Sequence, residues 1–174
     1  PAPMGVTQGA GLSLKWFRDN FCGAEKETAK LMGVDEYYLM DKEAESVPIG
    51  ADRLLYLPYL MGERTPHLDP NARGMFFGLS AMHTKKHMLR AVMEGVAYSL
   101  RDCVEICREM NINVSDMMAC GGGGSSPSSV RAFPRASQRL AELSLALTRC
   151  SSLLLRTCLF TRSISDFMTR SIPL

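Results

Sequence analysis

The sequence predicts an α/β domain in which helices pack against a mixed sheet. Two apolar runs, at residues 54–60 and 75–79, flank a polar loop and read as strands. A long amphipathic pattern from about residue 84 to 110 predicts a helix. A short apolar strand at 117–120 then runs directly into four glycines at 121–124. This order of strand, loop, strand, helix, strand and glycine turn is typical of a nucleotide-binding lobe, where ligands collect beyond the carboxyl ends of strands.

The overall composition indicates a globular, soluble protein. The 174 residues are 46% hydrophobic and 22% charged, which is near the average for globular domains. No apolar run approaches the roughly 18 residues that span a bilayer, and no secretory leader is evident, so we expect a cytoplasmic protein without a membrane partner. A net charge of +2 gives no reason to expect nucleic acid. Because the chain begins at Pro1 rather than Met, we expect a cut or incomplete amino terminus.

The cysteines and histidines do not predict a metal site. None of the six cysteines has the paired CxxC spacing of a zinc site. His83 and His87 lie four residues apart, but two of the three residues between them are lysines, which would repel a cation. We interpret the two histidines as polar residues at the start of a helix.

The amino-terminal part of the chain predicts two helices. Residues 1–9 read as a loop, and Leu12, Trp16 and Phe17 give residues 11–21 the spacing of a packed helix, with Trp16 as a core residue. A second helical pattern covers residues 24–40 and is broken at Gly33. Residues 42–52 read as a connecting turn.

The first predicted strand, residues 54–60, lacks polar and apolar alternation. We therefore expect both of its faces to be covered, as in a parallel or mixed sheet buried by helices. Pro58 indicates an edge, a bulge or the end of pairing, because proline cannot donate to the ladder.

The loop between the two strands combines rigid and charged residues. Gly62 permits a turn, while Pro66 and Pro70 stiffen the backbone. Its charged and polar side chains are Glu63, Arg64, His67, Asp69 and Arg73. Such a loop binds a ligand or partner, or it is a solvated connection held by structural ion pairs; the residue pattern leaves both open.

The helix predicted from residue 84 has Thr84 in position to cap its start. Its apolar stripe recurs at steps of three and four residues, as expected for a helix that packs on a core. Gly95 and its small neighbours make a thin patch where another backbone can approach. We interpret Glu94, beside that patch, as a paired charge rather than a substrate contact.

The glycine run, Gly121, Gly122, Gly123 and Gly124, directly follows a predicted strand. Glycines in this place let backbone N–H groups reach a phosphate or leave flat room for a base and ribose. The run is neither a dinucleotide-binding fingerprint nor a P-loop, because the required third glycine and the Gly-Lys-Ser/Thr sequence are absent. Taken alone, it is equally a flexible turn.

Taken together, these segments resemble the carboxyl-terminal lobe of the FGGY family of carbohydrate kinases, and within it most closely the xylulose kinases. The resemblance runs from about Gly5 to Pro127. Its motifs occur in order at residues 57–67, 69–74, 77–79, 90–97 and 121–127.

The resemblance implies an actin-like, ribonuclease-H-like fold of two lobes that close on a cleft. It further implies transfer of the γ-phosphoryl group of ATP to a sugar hydroxyl with Mg²⁺. By resemblance, Gly121–Gly124 with Ser125 would form the adenosine-binding turn, and the loop with Glu63, Arg64 and Arg73 would face the cleft. The family also suggests a homodimer for the full-length enzyme. A kinase for ribulose, gluconate or another polyol, and a non-catalytic interaction protein, remain alternatives.

Two departures from the family limit these expectations. No motif in the sequence matches the family's catalytic aspartate or its first phosphate-binding loop, so we name no catalytic residue and expect the chain to be inactive alone. After Pro127 the likeness stops: the last fifty residues contain eleven serines and no glycine or lysine. We therefore expect a partial kinase lobe at 1–127 and an anomalous tail at 128–174. A frameshifted or misjoined reading frame would explain this tail; a divergent cap and a disordered segment are the alternatives.

Overall fold

A computed structural model of the chain describes residues 5–65 and 67–112. The predicted strand at 117–120, the glycine run with Ser125 and the tail lie outside these residues. None of the described helices is both long and apolar enough to cross a membrane. In chain order the elements are helices α1 (Ala10–Phe21), α2 (Gly23–Met32) and α3 (Glu36–Glu45), a 3₁₀ turn (Ala51–Arg53), strands β1 (Leu55–Leu57) and β2 (Met75–Phe77), and helix α4 (Lys85–Glu109).

The second predicted helix is two helices, divided at Gly33. Gly33 adopts the left-handed conformation with a φ of 66° and ends α2, because that conformation suits glycine. Asp35 then caps α3 by accepting the backbone N–H of Tyr37 at 2.7 Å. Helix α3 continues to Glu45, so part of the predicted turn at 42–52 is helical.

The two strands pair in antiparallel fashion, with Leu55 opposite Phe77 and Tyr56 opposite Phe76. Tyr56 is buried, whereas Leu55 is 43% exposed and Phe77 39% exposed. The described part of the sheet is thus one antiparallel pair, and the expectation that both faces of its first strand are covered is wrong for this pair. Alternate side chains point to opposite faces, and only the Tyr56 face packs on α4. Pairing ends at Leu57, directly before Pro58, as that proline predicted.

Helix α4 begins and ends within one residue of the prediction, and Thr84 is its N-cap. The backbone N–H of Thr84 donates to Nδ1 of His87 at 3.1 Å, which makes His87 part of a capping box and confirms its interpretation as a helix-start residue. A Cβ atom added at Gly95 would lie 2.2 Å from the carbonyl oxygen of Tyr56. The thin patch predicted on α4 is thus the place where β1 approaches the helix.

The hydrophobic core lies between α4, β1 and the three amino-terminal helices. Phe17 is its fully buried aromatic residue. Trp16 is only partly buried and packs edge-on against Phe17, with 6.5 Å between the ring centroids, so it borders the core that it was predicted to anchor. The fully buried large side chains include Phe17, Met40, Leu54, Leu89 and Val92.

Candidate functional site

The candidate site is the loop between β1 and β2, which folds back on itself. The backbone N–H of Glu63 donates to the carbonyl of Asp69 at 2.8 Å, and the N–H of Asp69 donates to the carbonyl of Glu63 at 3.0 Å. Gly62 has a φ of 80°, and a Cβ atom there would lie 2.6 Å from the carbonyl oxygen of Pro70. Glycine is therefore required at this position both for its conformation and for its lack of a side chain.

The Glu63 carboxylate lies inside the loop's framework. The residue is only 2% exposed. Its oxygens accept hydrogen bonds from the Thr7 hydroxyl at 2.7 Å, the Gln8 N–H at 3.2 Å and the Arg64 N–H at 2.7 Å. The Thr7 hydroxyl in turn accepts a hydrogen bond from Ser99 of α4 at 3.1 Å. Glu63 thus joins the segment before α1 to the loop and to α4, and its contribution to any ligand site is to hold the backbone.

The two arginines predicted for a cleft both lie on the exposed surface of the loop. The Arg73 guanidinium donates to the carbonyls of Pro70 at 3.2 Å and Ala72 at 2.8 Å, which fixes it above its own turn. The Arg64 side chain forms no ion pair with any carboxylate of the described residues. The loop therefore presents two positive charges on a backbone fixed by Glu63. That this surface faces a cleft remains a prediction.

The alternative of a loop held by structural ion pairs does not describe this loop. Asp69 accepts the Asn71 N–H at 2.8 Å, in a local turn, rather than pairing with an arginine. At the far end, the Thr65 N–H donates to the Val6 carbonyl at 3.1 Å and the Thr65 carbonyl accepts the Cys103 thiol at 3.6 Å. Hydrogen bonds to the backbone, rather than ion pairs, shape the described part of the loop.

A half-buried tyrosine, Tyr59, precedes the loop and contacts one of its side chains. The rings of Tyr59 and His67 meet edge-on with centroids 5.8 Å apart. Burial raises the pKa of Tyr59 to about 12, so its hydroxyl stays protonated near neutral pH. Tyr59 therefore adds no negative charge beside the two arginines.

Glu94 forms a buried ion pair, which confirms its interpretation as a paired charge. Its carboxylate lies 2.6 Å from Nε of Arg90, and both residues are almost fully buried. Both carboxylate oxygens also accept the Gly50 N–H at 3.1 Å. The pair therefore anchors the turn that precedes β1.

The sequence predicted a turn here but not its left-handed backbone. Ala51, Asp52 and Arg53 follow Gly50 with φ values of 42°, 51° and 74°, so three consecutive non-glycine residues are left-handed. Such residues are strained unless their surroundings hold them. The only signal in the sequence is Gly50, which precedes them in the same conformation, with a φ of 93°.

Two histidines hold the turn through Asp52. Nε2 of His87 lies 3.1 Å from the Asp52 carboxylate, and Nε2 of His83 lies 3.2 Å from the Asp52 carbonyl. Nδ1 of each ring accepts a backbone N–H, from Thr84 at 3.1 Å and from Ser80 at 2.9 Å. Because a backbone N–H only donates, these partners assign both rings as neutral tautomers with the proton on Nε2. The described residues contain no group of three or more His, Cys, Asp or Glu placed to hold a metal ion.

Comparison with known proteins identifies the family. The sequence model of the FGGY family of carbohydrate kinases, C-terminal domain, matches residues 2–133. The chain is 45% identical over 120 residues to a xylulose kinase of Bacillus subtilis, covering 69% of this chain and 22% of that protein. It is also 45% identical over 119 residues to a gluconokinase of Bacillus licheniformis, covering 68% of this chain and 23% of that protein.

Solved structures agree with the sequence comparison. The crystal structure of a xylulose kinase from Rhodospirillum rubrum superposes with a TM-score of 0.63 and 31% identity, covering 74% of this chain and 24% of that one. The fold is therefore that of the FGGY sugar kinases, the actin-like ATPase fold predicted from the motifs. The chain spans under a quarter of the length of the curated relatives given above. Since the family model matches well over half of its residues, the chain belongs to the FGGY family of carbohydrate kinases.

Proposed function

We propose that this chain supplies the nucleotide side of an active site that transfers the γ-phosphoryl group of ATP to xylulose. The observation that supports this most is its 45% identity over 120 residues to a xylulose kinase. The identity of the sugar rests on the relatives, because the chain covers 22% of that protein.

The described loop contributes charge and rigidity to this proposal. Phosphoryl transfer relies on positioning and on neutralising negative charge, rather than on covalent chemistry by the protein. Exposed guanidinium groups at Arg64 and Arg73 match phosphate oxygens in charge and geometry. Glu63 fixes the backbone from which Arg64 projects, because it accepts the Arg64 N–H at 2.7 Å. We assign the adenosine contact to Gly121, Gly122, Gly123, Gly124 and Ser125.

The described residues contain no cluster of three or more His, Cys, Asp or Glu that could hold a metal ion without a substrate. Magnesium in kinases is held largely by substrate phosphates and one or two carboxylates. We therefore assign no step to a metal held by this part of the chain. Mg²⁺ enters the proposal only as the companion of ATP in the family.

We further propose that residues 1–127 work as a partial lobe and that 128–174 take no part in it. The sequence has no match to the family's catalytic aspartate motif, so the chain is expected to bind nucleotide without turning over. The working enzyme is expected in the cytoplasm, where its substrates ATP and free sugar are found.

Gluconate is the second candidate substrate, because a gluconokinase is as similar to this chain as the xylulose kinase is. The test combines calorimetric titration of the full chain with ADP and a coupled assay of ATP consumption with xylulose and with gluconate. We expect ADP binding and no turnover with either sugar. Turnover with one sugar would overturn the proposed lack of activity and would identify the substrate. A folded chain that binds no ADP would contradict the proposed nucleotide role.

A further inference from the structure

Three charged side chains meet where α2, α3 and the first turn of α4 come together. Nζ of Lys85 donates to Oε1 of Glu25 and lies 3.9 Å from Oε2 of Glu43. The side chains of Glu25 and Glu43 are 10% and 24% exposed. Two largely buried carboxylates thus share one ammonium group.

One oxygen of each carboxylate lacks a hydrogen-bond donor: the second oxygen of Glu25, and the Glu43 oxygen that lies 3.9 Å from Lys85, beyond hydrogen-bond distance. Oε2 of Glu25 and Oε2 of Glu43 are both closed to solvent, and neither has a hydrogen-bond partner among the described residues. Both carboxylates contact the same Lys85 ammonium group, so the two carboxyl groups are neighbours. If both were ionised, the cluster would carry a surplus negative charge and two unpaired acceptors in a buried place, which is costly. One proton between them supplies the missing donor and removes that charge.

Other groups around Glu43 do not replace this proton. A surface groove of about 370 Å³ runs beside the pair. A cation bound in that groove would not reach the orphan oxygens, because both are buried. Burial raises the pKa of the Cys22 thiol to about 11, so this neighbour stays neutral. The other charged groups near the pair are Lys26, Lys42 and Lys86, of which Lys42 pairs with Glu45 at 3.0 Å.

We propose that Glu43 holds a proton above the ordinary glutamate range in the folded protein and donates it to Glu25, which makes this three-helix junction a clamp that weakens as pH rises above that range. The electrostatics agree with this assignment. Burial, and then the neighbouring Glu25 charge, raise the pKa of Glu43 above its usual value. Burial also acts to raise the pKa of Glu25, but the hydrogen bond and charge of Lys85 outweigh it and the net shift is downward.

The two carboxyls affect stability in opposite pH ranges. The ordinary pKa of a glutamate is 4.5. Between pH 4.5 and the raised pKa of Glu43, the folded state binds more protons than the unfolded state, so stability falls as pH rises through this window. Glu25, whose pKa is lowered, stabilises the fold above pH 4.5 and loses that effect only as pH falls. Above pH 4.5 the dependence therefore belongs to Glu43.

Thermal unfolding of the full chain tests the proposal. The Glu43→Gln variant keeps an N–H donor toward Glu25 and cannot ionise. The Tm difference between Glu43→Gln and the unchanged protein is expected to shift in favour of the variant by at least about 3 °C from pH 5 to pH 8. Glu27→Gln is the matched control, because it removes the same charge from the exposed face of α2, where Glu27 pairs with Lys30. Parallel pH profiles for Glu43→Gln and the unchanged protein would overturn the proposal.

Carbon-13 NMR of labelled glutamate side chains reads the protonation directly in the unchanged protein. The Glu43 carboxyl is expected to titrate above pH 4.5, the ordinary value of a glutamate, and Glu25 below it. In Glu25→Gln the Glu43 midpoint is expected to fall, since Lys85 then has a single carboxylate partner. A Glu43 midpoint at or below pH 4.5 would refute the shared proton, even if a variant fails to fold.

Discussion

Single residues carry unusual constraints in the turn before β1 and in the loop after it. Arg53 is exposed and left-handed, with a φ of 74°. Glu63, by contrast, is a charged residue used as an interior hydrogen-bond acceptor. The sequence pattern placed Glu63 in a charged loop but did not predict that it is a buried hydrogen-bond acceptor. Its partners Thr7 and Gln8 lie 56 and 55 residues away along the chain. Local patterns carry no information about such distant pairings.

Arg53→Gly is expected to stabilise the protein by up to about 1 kcal/mol, since a left-handed residue with a Cβ atom costs about 1–2 kcal/mol and glycine recovers most of that despite its freer unfolded state. Chemical denaturation measures the difference. Arg73→Gly is the control, because Arg73 is an exposed arginine of the same region and is not among the left-handed residues. A less stable Arg53→Gly protein would show that the turn depends on the arginine side chain.

Glu63→Ala is expected to cost about 3 kcal/mol or more, because it leaves three hydrogen-bond donors inside the protein without an acceptor, at about 1–3 kcal/mol for each donor that stays buried. Urea denaturation measures the loss of stability. Glu105→Ala is the control, because it removes a carboxylate that is 38% exposed. Equal losses for the two variants would mean that the loop does not depend on the buried carboxylate.

At the scale of elements, local patterns predicted the helices better than the sheet. The apolar stripe of α4 located both ends within one residue, and Gly33 marked the division between α2 and α3. The burial of both faces of β1 was predicted wrongly, because the uninterrupted apolar sequence at 54–60 does not indicate which face packs on α4. That information lies in Gly95, where the Tyr56 carbonyl would be 2.2 Å from an added Cβ.

Gly95→Ala is expected to destabilise the fold by about 1–3 kcal/mol, because the new methyl group forces β1 away from α4. Gly11→Ala is the matched control within α1, since an added Cβ there meets no atom within 4 Å. The control is expected to stabilise by about 0.5–1 kcal/mol through helix propensity. Circular dichroism during thermal unfolding separates the two, and a neutral Gly95→Ala would contradict the close contact.

For the whole molecule, apolar surface is the main feature of the described part. Leu55 and Phe77 are cross-strand partners on the outer face of the sheet, and Leu31 and Met32 at the end of α2 are 90% and 58% exposed. Contiguous exposed apolar surface favours association. The chain also spans under a quarter of the length of the curated relatives given above.

The chain is expected to bind a hydrophobic dye such as ANS and to aggregate as its concentration rises. The double variant Leu55→Thr, Phe77→Thr is expected to lower dye fluorescence and association, because threonine suits strands and removes apolar area from the exposed face. Light scattering and dye fluorescence measure both effects. Unchanged light scattering and dye fluorescence in the double variant would show that the apolar surface responsible for association lies elsewhere.

The glycine run after α4 is proposed to bind the nucleotide, and backbone amide NMR can detect that contact residue by residue. Titrating the nitrogen-15-labelled chain with ADP is expected to shift the amide signals of Gly121–Gly124, and Gly122→Val is expected to abolish the shifts while leaving the signals of the α4 core in place. Ser129→Ala serves as the control variant. If the four glycine amides of a folded chain show no ADP-dependent shift, the glycine run does not bind the nucleotide.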